Sequence, residues 1–372
     1  MKIFVSAMAF DNGKSGISNY IYNVVRELAK NAEIELAVLV SDAKYFEGIE
    51  GIKLIKYPDF FGAPGFNALW HLFVLPLQPA AGKCDFIFLP AANRRLFSWF
   101  SRPSVVTFHD LSQFHVSEKY DTLRTWYVFK FLRKFLNKAD KICAISKSTE
   151  NDIRKYYNID QGKIFVNYNG FERDRLDVEY SPEKLAELKV EPPYILYLSR
   201  IEHPGKNHLN LIKAFELLDD YYSEYQLVFV GSDWSGARAV REAAERSEKK
   251  ERINFLGFVE DSCLPHLYKG ASVYAFPSFC EGFGIPLLEA MYCCVPCVCS
   301  KGTSLEEIGG DAVLVFDPKN PNEIAEKIEM AIKDENLSKS LIEKGKDRIE
   351  DFSWEKHADT LLEQFSSIRS GR

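Results

Sequence analysis

The sequence from Phe276 to Glu289, FPSFCEGFGIPLLE, has the pattern of a strand end, a glycine turn and a helix start. Gly282 and Gly284 follow one apolar run, and Pro286 opens the next. Proline is favoured in the first helical turn because its missing N–H would have no partner there. Exposed N–H groups at a helix start bind anions, and glycine lets a phosphate approach the backbone. The stretch therefore predicts an α/β fold with an anion-binding turn.

The same alternation of strands and helices extends along the chain in both directions. Predicted strands before residue 174 are Lys2–Met8, Glu33–Val40, Ile52–Lys56, Asp85–Leu89, Ser104–Phe108, Lys141–Ile145 and Lys163–Asn167. After Pro193 they are Tyr194–Ser199, Gln226–Gly231, Ile253–Leu256, Ser272–Phe276, Pro296–Ser300 and Ala312–Phe316. This pattern is typical of parallel sheets with helices on both faces. We predict two Rossmann-like domains, separated by the polar stretch Asp174–Pro193, with parallel sheets facing a central cleft.

Composition and charge exclude several classes of protein. The 372 residues are 46% hydrophobic and 27% charged, which is enough apolar material for two cores and excludes global disorder. Residues 1–180 contain 24 basic and 20 acidic residues, whereas the remainder contains 23 and 33. Neither half is strongly basic, which argues against bulk nucleic-acid binding.

The sequence predicts a cytosolic chain with reduced cysteines. No apolar run approaches the roughly 18–20 residues that span a bilayer, and the apolar start is shorter than a signal-peptide core. Cys293, Cys294, Cys297 and Cys299 lie close together. Zinc sites of four cysteines draw on two separated pairs, so we interpret these residues as small core side chains and expect no metal site.

Charged residues follow two predicted strands in the C-terminal half. Glu281 and Glu289 flank the glycine turn, where carboxylates suit sugar hydroxyls beside a bound phosphate. Arg200 and Lys206, in SRIEHPGKN, follow the strand Tyr194–Ser199 and suit a diphosphate. The alternatives are two solvated glutamates in a generic turn and two surface cations in a loop.

Two further stretches of the N-terminal half carry candidate residues. His109 and Asp110 follow an apolar strand, where histidine can take part in catalysis and the aspartate can orient its ring. The alternative is a pair that only fastens a loop. The first loop contains Gly13 and Gly16, which allow close backbone approach, but their spacing is not that of a dinucleotide fingerprint.

These motifs together resemble the retaining glycosyltransferases of family 4, with the GT-B fold, and in particular mannosyl- and hexosyltransferases of surface-polysaccharide biosynthesis. PSFCEGFGIPLLEAM matches the E-x7-E motif, SRIEHPGKN the Arg…Lys-Asn motif, FHDLS the His-Asp segment, and FSWEKHA the segment before the last helix. The resemblance covers nearly the whole chain. It implies an N-terminal acceptor domain (residues 1–178), a donor domain (190–353) and a C-terminal helix (354–372) that crosses back to the acceptor domain.

The resemblance also implies a role for each motif residue. Glu289 would bond ribose hydroxyls, and Glu281 would bond hydroxyls of the transferred sugar. Arg200 and Lys206 would neutralise the departing diphosphate in place of a metal, so no cofactor is expected. The implied catalytic residues are His109, Glu281, Arg200 and Lys206. The implied donor-binding residues are Gly16, Asp110, Gly231, Phe258, Phe283, Gly284, Ile285, Pro286, Leu287 and Glu289.

The implied reaction moves a hexose from a nucleotide-sugar, first mannose from GDP-mannose, to a glycan or lipid-linked saccharide. A UDP- or dTDP-hexose donor is an alternative, as are a GT-B epimerase and a non-catalytic sugar-nucleotide-binding protein. Three aromatic-rich segments suit contact with anionic lipid at the inner face of the cytoplasmic membrane: Asp59–Leu77 and the basic segments Arg94–Arg102 and Leu123–Lys138. Their alternative interpretation is core-facing helices with solvated cations.

Overall fold

The structure, a computed structural model, describes residues 1–63, 65–111, 114 and 132–370. These residues divide into two compact units. The first contains residues 1–111, 132–170 and 352–370, and the second contains residues 171–351 together with Phe114.

Each unit is built on a parallel sheet. The first sheet has the order β3-β2-β1-β4-β5-β6-β7, with strands β1 Lys2–Ser6, β2 Glu33–Leu39, β3 Ile52–Tyr57, β4 Phe86–Leu89, β5 Ser104–Phe108, β6 Lys141–Ala144 and β7 Ile164–Val166. The second has the order β10-β9-β8-β11-β12-β13, with strands β8 Tyr194–Leu198, β9 Gln226–Val230, β10 Ile253–Phe255, β11 Val273–Phe276, β12 Cys297–Ser300 and β13 Val313–Phe316. The predicted α/β class and each predicted strand are confirmed.

Helices connect these strands in both units. In the first unit they are α1 Gly16–Ala29, α2 Phe66–Phe73, α3 Pro79–Lys83, α4 Arg133–Leu136, α5 Lys147–Tyr157 and the C-terminal helix α14 Trp354–Ser370. In the second they are α6 Pro182–Glu187, α7 His208–Leu217, α8 Ala237–Arg246, α9 Leu264–Lys269, α10 Ile285–Tyr292, α11 Ser304–Gly309, α12 Pro321–Lys333 and α13 Glu335–Arg348. Among the described residues, none of the helices is both long and apolar enough to cross a bilayer.

The strand order of each sheet identifies where a ligand can bind. In open α/β sheets, ligands bind beyond the carboxyl ends of the strands at the point where the strand order reverses. In the second sheet this point lies between β8 and β11, and in the first between β1 and β4. Arg200 and Lys206 follow β8, and Glu281 follows β11, so all three residues lie at this end of the second sheet.

The boundary between the units differs from the predicted one. The division lies after Gly170 and not at residue 178. Arg173 and Arg175 belong to the second unit because they form ion pairs with Glu350 and Glu289 of that unit. The polar Asp174–Pro193 stretch therefore lies inside the second unit, where Arg175 pairs with Glu289 far along the chain.

The last helix belongs to the first unit. The Tyr20 hydroxyl of α1 lies 2.8 Å from Nε2 of His357 on α14 and 2.9 Å from Oγ1 of Thr107 on β5. The ring centroids of Phe365 and Phe86 are 5.1 Å apart. These buried contacts, between residues distant in sequence, hold α14 on the first sheet.

Of the three aromatic-rich segments, Arg94–Arg102 lies wholly within the described residues, and the other two do so in part. Arg94–Arg102 contains no helix, contrary to its core-facing alternative, although Leu96 and Phe97 are buried. Of Leu123–Lys138, residues 123–131 lie outside the described residues, and the remainder contains α4. Asp59–Leu77 contains α2.

Candidate active site

The structure brings Lys206 and Glu281 together. Lys206 Nζ donates to Glu281 Oε1 at 2.6 Å, and both side chains are largely buried. The sequence assigned the lysine to a diphosphate and the glutamate to sugar hydroxyls. The observed pair places these two chemistries side by side, at the carboxyl ends of neighbouring strands β8 and β11.

Hydrogen bonds fasten the connection after β8 to the connection after β11. The Tyr197 hydroxyl donates to the Lys206 carbonyl at 2.9 Å and lies 3.0 Å from Ser278 Oγ. The amide of Asn207 donates to the Pro277 carbonyl at 2.9 Å, and the Phe279 N–H donates to the Gly205 carbonyl at 3.0 Å. Because both loops are held at their backbones, the positions of Lys206 and Glu281 are set before any ligand binds.

The glycine turn before α10 is closely packed. Gly284 has φ +107°, and a Cβ there would lie 2.4 Å from Leu305 Cδ2, so only glycine fits. Phe283 and Leu287 are buried, the Leu287 N–H donates to the Gly284 carbonyl at 2.9 Å, and Pro286 has no N–H. Leu287 and Pro286 thus shape the turn through the backbone, and their part in donor binding stays a prediction. Ile285 begins the helix.

Arg200 contacts different residues from those that Lys206 contacts. Its guanidinium carbon is 4.8 Å from the ring centroid of Trp234, and its Nη2 is 3.7 Å from Oε2 of the buried Glu202. The Arg200 side chain is half exposed, so its charge can meet a ligand. Trp234, itself exposed, was not predicted, because no local pattern marks it as the platform for an arginine.

Gly231 and Phe258 differ in their surroundings. Gly231 has φ +141°, and a Cβ there would lie 2.1 Å from the Ser199 carbonyl oxygen, so the glycine is required by the close approach of the loops after β8 and β9. Phe258 is 78% exposed, beyond the end of β10. The exposed Phe258 ring is available to a ligand. The glycine at position 231 is explained by the packing of the two loops, without a ligand.

Glu289 is enclosed in the interior of the second unit. Its side chain is 2% exposed, Oε1 accepts a hydrogen bond from Arg175, and Oε2 accepts one from the Tyr268 hydroxyl at 2.8 Å. Both oxygens that were assigned to ribose hydroxyls are therefore bonded within the protein. Arg175, which also lies 3.6 Å from Asp261, escaped prediction because the sequence shows only a charged residue in an apparent linker.

His109 is buried in the first unit and held by the backbone. Its Nε2 lies 2.7 Å from the Pro90 carbonyl oxygen, which can only accept, so Nε2 carries the proton. Burial lowers the pKa of His109 to about 4, and the Asp110 charge raises it by less. At neutral pH the ring is thus uncharged and its Nδ1 accepts. The Pro90 carbonyl thus fixes the His109 ring at Nε2, and the orienting role of Asp110 stays a prediction.

A buried chain of polar side chains lies beside His109. The Tyr20 ring meets the His109 ring edge to face, with centroids 4.6 Å apart. His357 Nδ1 donates to the Tyr168 carbonyl at 2.9 Å, so its Nε2 accepts from Tyr20 at 2.8 Å, and Thr107 then donates to Tyr20. His357 and Tyr20 were not predicted, although His357 lies inside the FSWEKHA motif.

Gly16 lies at the exposed start of α1. A Cβ at Gly16 would meet nothing within 4 Å. Within the described residues of this unit, therefore, no group approaches the Gly16 backbone so closely that a side chain would be excluded. The preceding loop is fastened by Asp11, whose Oδ1 accepts from the N–H groups of Lys14 and Ser15, each at 3.1 Å, and from the Ser18 hydroxyl at 2.5 Å. The loop is therefore ordered by the Asp11 carboxylate.

Comparisons with known proteins agree with this geometry. Residues 182–348 match the profile "Glycosyl transferases group 1", and residues 14–175 match "Glycosyltransferase Family 4". O-antigen chain mannosyltransferase B of Escherichia coli is 34% identical over 256 residues, which are 68% of this chain and 67% of that protein. The chain belongs to glycosyltransferase family 4. The predicted family is thus confirmed.

Two other relatives differ in how much of their own length is matched by this chain. O-antigen chain mannosyltransferase RfbU of Salmonella typhimurium is 28% identical over 322 residues, covering 82% of this chain and 84% of that protein. Serotype-specific mannosyltransferase WbdA of Escherichia coli is 30% identical over 275 residues, which are 71% of this chain and 33% of WbdA. The glycosyltransferase therefore spans about a third of that longer relative.

Solved structures support the fold of this family 4 chain. The crystal structure of Anabaena HepE in complex with UDP and glucose has a TM-score of 0.74 at 19% identity and covers 99% of this chain and 100% of that one. At this identity the likeness concerns the fold alone. Together with the two parallel sheets, it gives the glycosyltransferase the predicted GT-B fold.

The cysteine cluster of this glycosyltransferase does not present a set of thiols to one point. Cys293, Cys297 and Cys299 are buried, whereas Cys294 is exposed. Burial raises the pKa of Cys293 to about 12 and also raises the pKa of Cys297 well above its usual value. Metal-binding cysteines are thiolates, which these environments disfavour. The three buried thiols fit the interpretation as small core residues.

We expect the first unit of the glycosyltransferase to lose stability in mild acid. His109 and His357 each have a pKa of about 4 in the folded chain because burial disfavours the charged ring, against 6.5 when unfolded. Their contribution is complete above pH 6.5 and falls as the pH drops towards 4, by about 2 kcal/mol per histidine at pH 5. Thermal unfolding at pH 7 and pH 5 measures this, and an unchanged Tm would contradict it.

Proposed function

We propose that this glycosyltransferase transfers a mannosyl residue from GDP-mannose to a glycan or lipid-linked saccharide, with retention of anomeric configuration and without a metal ion. The second unit binds the donor and the first binds the acceptor. The mannosyltransferase names of its relatives support the sugar. The guanine base and the acceptor are parts of the proposal that rest on the family resemblance.

The observation that carries the proposal is the Lys206–Glu281 pair. An ammonium group and a carboxylate 2.6 Å apart, at the ligand-binding end of a parallel sheet, fit a ligand in which a phosphate adjoins hydroxyl groups. A diphospho-sugar is such a ligand. Lys206 interacts with the diphosphate, and Glu281 accepts from a sugar hydroxyl.

The proposed step needs only groups that the chain and its substrates supply. The bond between the anomeric carbon and the phosphate oxygen breaks, and its electron pair stays on the phosphate. The acceptor oxygen bonds to the same face of the anomeric carbon, and its proton passes to the departing phosphate oxygen. Lys206 and Arg200 stabilise the negative charge that develops on the diphosphate, the task for which many transferases use a divalent cation.

Nucleotide binding tests this proposal directly. In the presence of EDTA, calorimetric titration with GDP, UDP, dTDP, ADP and CMP is expected to give the tightest binding for GDP, and GDP-mannose is expected to turn over. The anomer of the product, read by NMR, reports retention. Tightest binding of UDP or dTDP would contradict the GDP assignment, and failure of folded protein to bind any of them would contradict the transferase mechanism.

The proposed reaction takes place at a membrane surface. A lipid-linked saccharide is presented at a membrane surface, so a cytoplasmic enzyme must meet it at the inner face of the cytoplasmic membrane. The proposal therefore needs a surface of the first unit, the proposed acceptor unit, that can contact lipid.

A further inference from the structure

Helix α2 turns large apolar side chains outward. Leu69 is 61% exposed, and Phe66 and Phe73 are each about half exposed. The polar residues Asn67 and His71 of the same helix are buried. A surface helix of a globular protein normally buries its apolar face and exposes its polar one, so α2 has an outward face that the core does not explain.

The outward apolar face continues on both sides of α2. Phe60 precedes the helix and is exposed, and its ring centroid lies 6.3 Å from that of Phe66. Val74 and Leu77 follow the helix, and Leu77 is 65% exposed. We call this set the apolar ridge; it consists of Phe60, Phe66, Leu69, Phe73, Val74 and Leu77. Contiguous exposed apolar surface of this kind marks a site of interaction.

Basic residues border the apolar ridge. The ring centroids of Phe73 and Phe135 are 6.4 Å apart, which places α4 beside the ridge. The Ser98 N–H donates to the Leu72 carbonyl at 2.9 Å, and Lys138 Nζ donates to the Ser98 carbonyl at 2.7 Å. Lys138 and its exposed neighbours on α4, Arg133 and Lys134, therefore lie along one side of the ridge.

The described sequence around the ridge is short of acidic residues. Residues 59–63, 65–111 and 132–138 contain seven basic residues and three acidic ones. Two of the acids are engaged by backbone N–H groups, Asp59 by Ser41 at 2.8 Å and Asp85 by Lys2 at 2.9 Å. This part of the chain thus has a positive balance of charge, which is complementary to an anionic surface.

We infer that the apolar ridge and its basic border dock on an anionic lipid surface. The ridge side chains enter the boundary between headgroups and acyl chains, and Arg133, Lys134 and Lys138 meet the lipid phosphates. The inference deepens the membrane part of the proposed function. It rests on the proposed function only for the assumption that the acceptor is linked to lipid. Docking on vesicles and sugar transfer are measured in separate experiments.

Co-sedimentation with vesicles tests the docking surface. The intact chain is expected to sediment at low salt with vesicles of phosphatidylcholine and phosphatidylglycerol, and to remain in solution with phosphatidylcholine alone. Leu69→Asp is expected to weaken vesicle binding by about tenfold, because the docked ridge loses an apolar side chain that the lipid would bury. Lys134→Ala is expected to weaken it by about fivefold, the contribution of one cation near an anionic surface.

A matched variant controls for the loss of any exposed leucine. Leu217 on α7 of the second unit is 51% exposed, so Leu217→Asp makes the same chemical change outside the ridge and is expected to leave vesicle binding unchanged. Thermal unfolding confirms that each variant is folded. Equal binding by the Leu69→Asp and native chains, or no binding by the native chain, would overturn the inference. So would a native dimer that Leu69→Asp converts to monomer, because the ridge would then bind a second copy.

Because vesicle binding needs no donor, its failure differs from failure of the proposed function. A chain that turns over GDP-mannose but ignores anionic vesicles loses only the docking surface. A chain that binds vesicles but no nucleoside diphosphate retains the surface and loses the reaction.

Discussion

Replacing Lys206 with Met is expected to lower kcat for sugar transfer by about 10²–10³, the usual cost of removing one preorganised group that stabilises transition-state charge. The substitution removes the ammonium group 2.6 Å from Glu281 and leaves a side chain of similar length. The charge on the departing diphosphate rises towards the transition state, so kcat falls more than nucleotide affinity. Steady-state turnover of GDP-mannose, with calorimetry for GDP, separates the two effects.

Two further variants sharpen this experiment. Lys213→Met removes an exposed lysine of α7 beyond the loop and is expected to retain native turnover. Glu281→Gln keeps the shape of the side chain but loses the charge, and is expected to lower turnover while leaving GDP affinity nearly native, because Glu281 is assigned to the sugar. Native turnover in the Lys206→Met chain would refute the assigned role of the lysine.

Replacing Arg175 with Leu is expected to destabilise the second unit by about 3–5 kcal/mol, the cost of removing one partner from a buried ion pair. Glu289 is 2% exposed, so its carboxylate would remain in the interior with the Tyr268 hydroxyl as its remaining bond. For a unit of this size, such a loss lowers Tm by roughly 10 °C. Thermal unfolding followed by circular dichroism measures the effect.

Arg173 offers a matched control two residues away. It pairs with Glu350, which is 65% exposed, and exposed ion pairs contribute about 0–1 kcal/mol. Arg173→Leu is therefore expected to shift Tm much less than Arg175→Leu. Equal shifts of Tm in the two variants would show that the Arg175–Glu289 pair stabilises the protein no more than the exposed Arg173–Glu350 pair.

The strands and the position of the candidate site could be predicted because their signals are local. Each strand is a short apolar run bounded by turn residues, and Arg200, Lys206 and Glu281 stand directly after such runs. Because parallel strands end at the same edge of a sheet, residues that follow β8 and β11 share that edge. Family resemblance then supplied the order and meaning of the motifs.

Contacts between distant residues could not be predicted in this way. Arg175 and Glu289 are separated by more than a hundred positions, and so are Tyr20 and His357. Nothing in the neighbouring sequence of either arginine distinguishes Arg175, whose partner is buried, from Arg173, whose partner is exposed.

Apolar and polar patterns along the chain, read locally, determined the α/β class, the two sheets and the loops that contain Lys206 and Glu281. Only the tertiary structure decided that these two side chains pair, that Glu289 is enclosed by Arg175 and Tyr268, and that α2 presents Leu69 outward while burying His71. The physical reason is that local pattern sets backbone conformation, whereas burial and pairing depend on which distant surface covers each side chain.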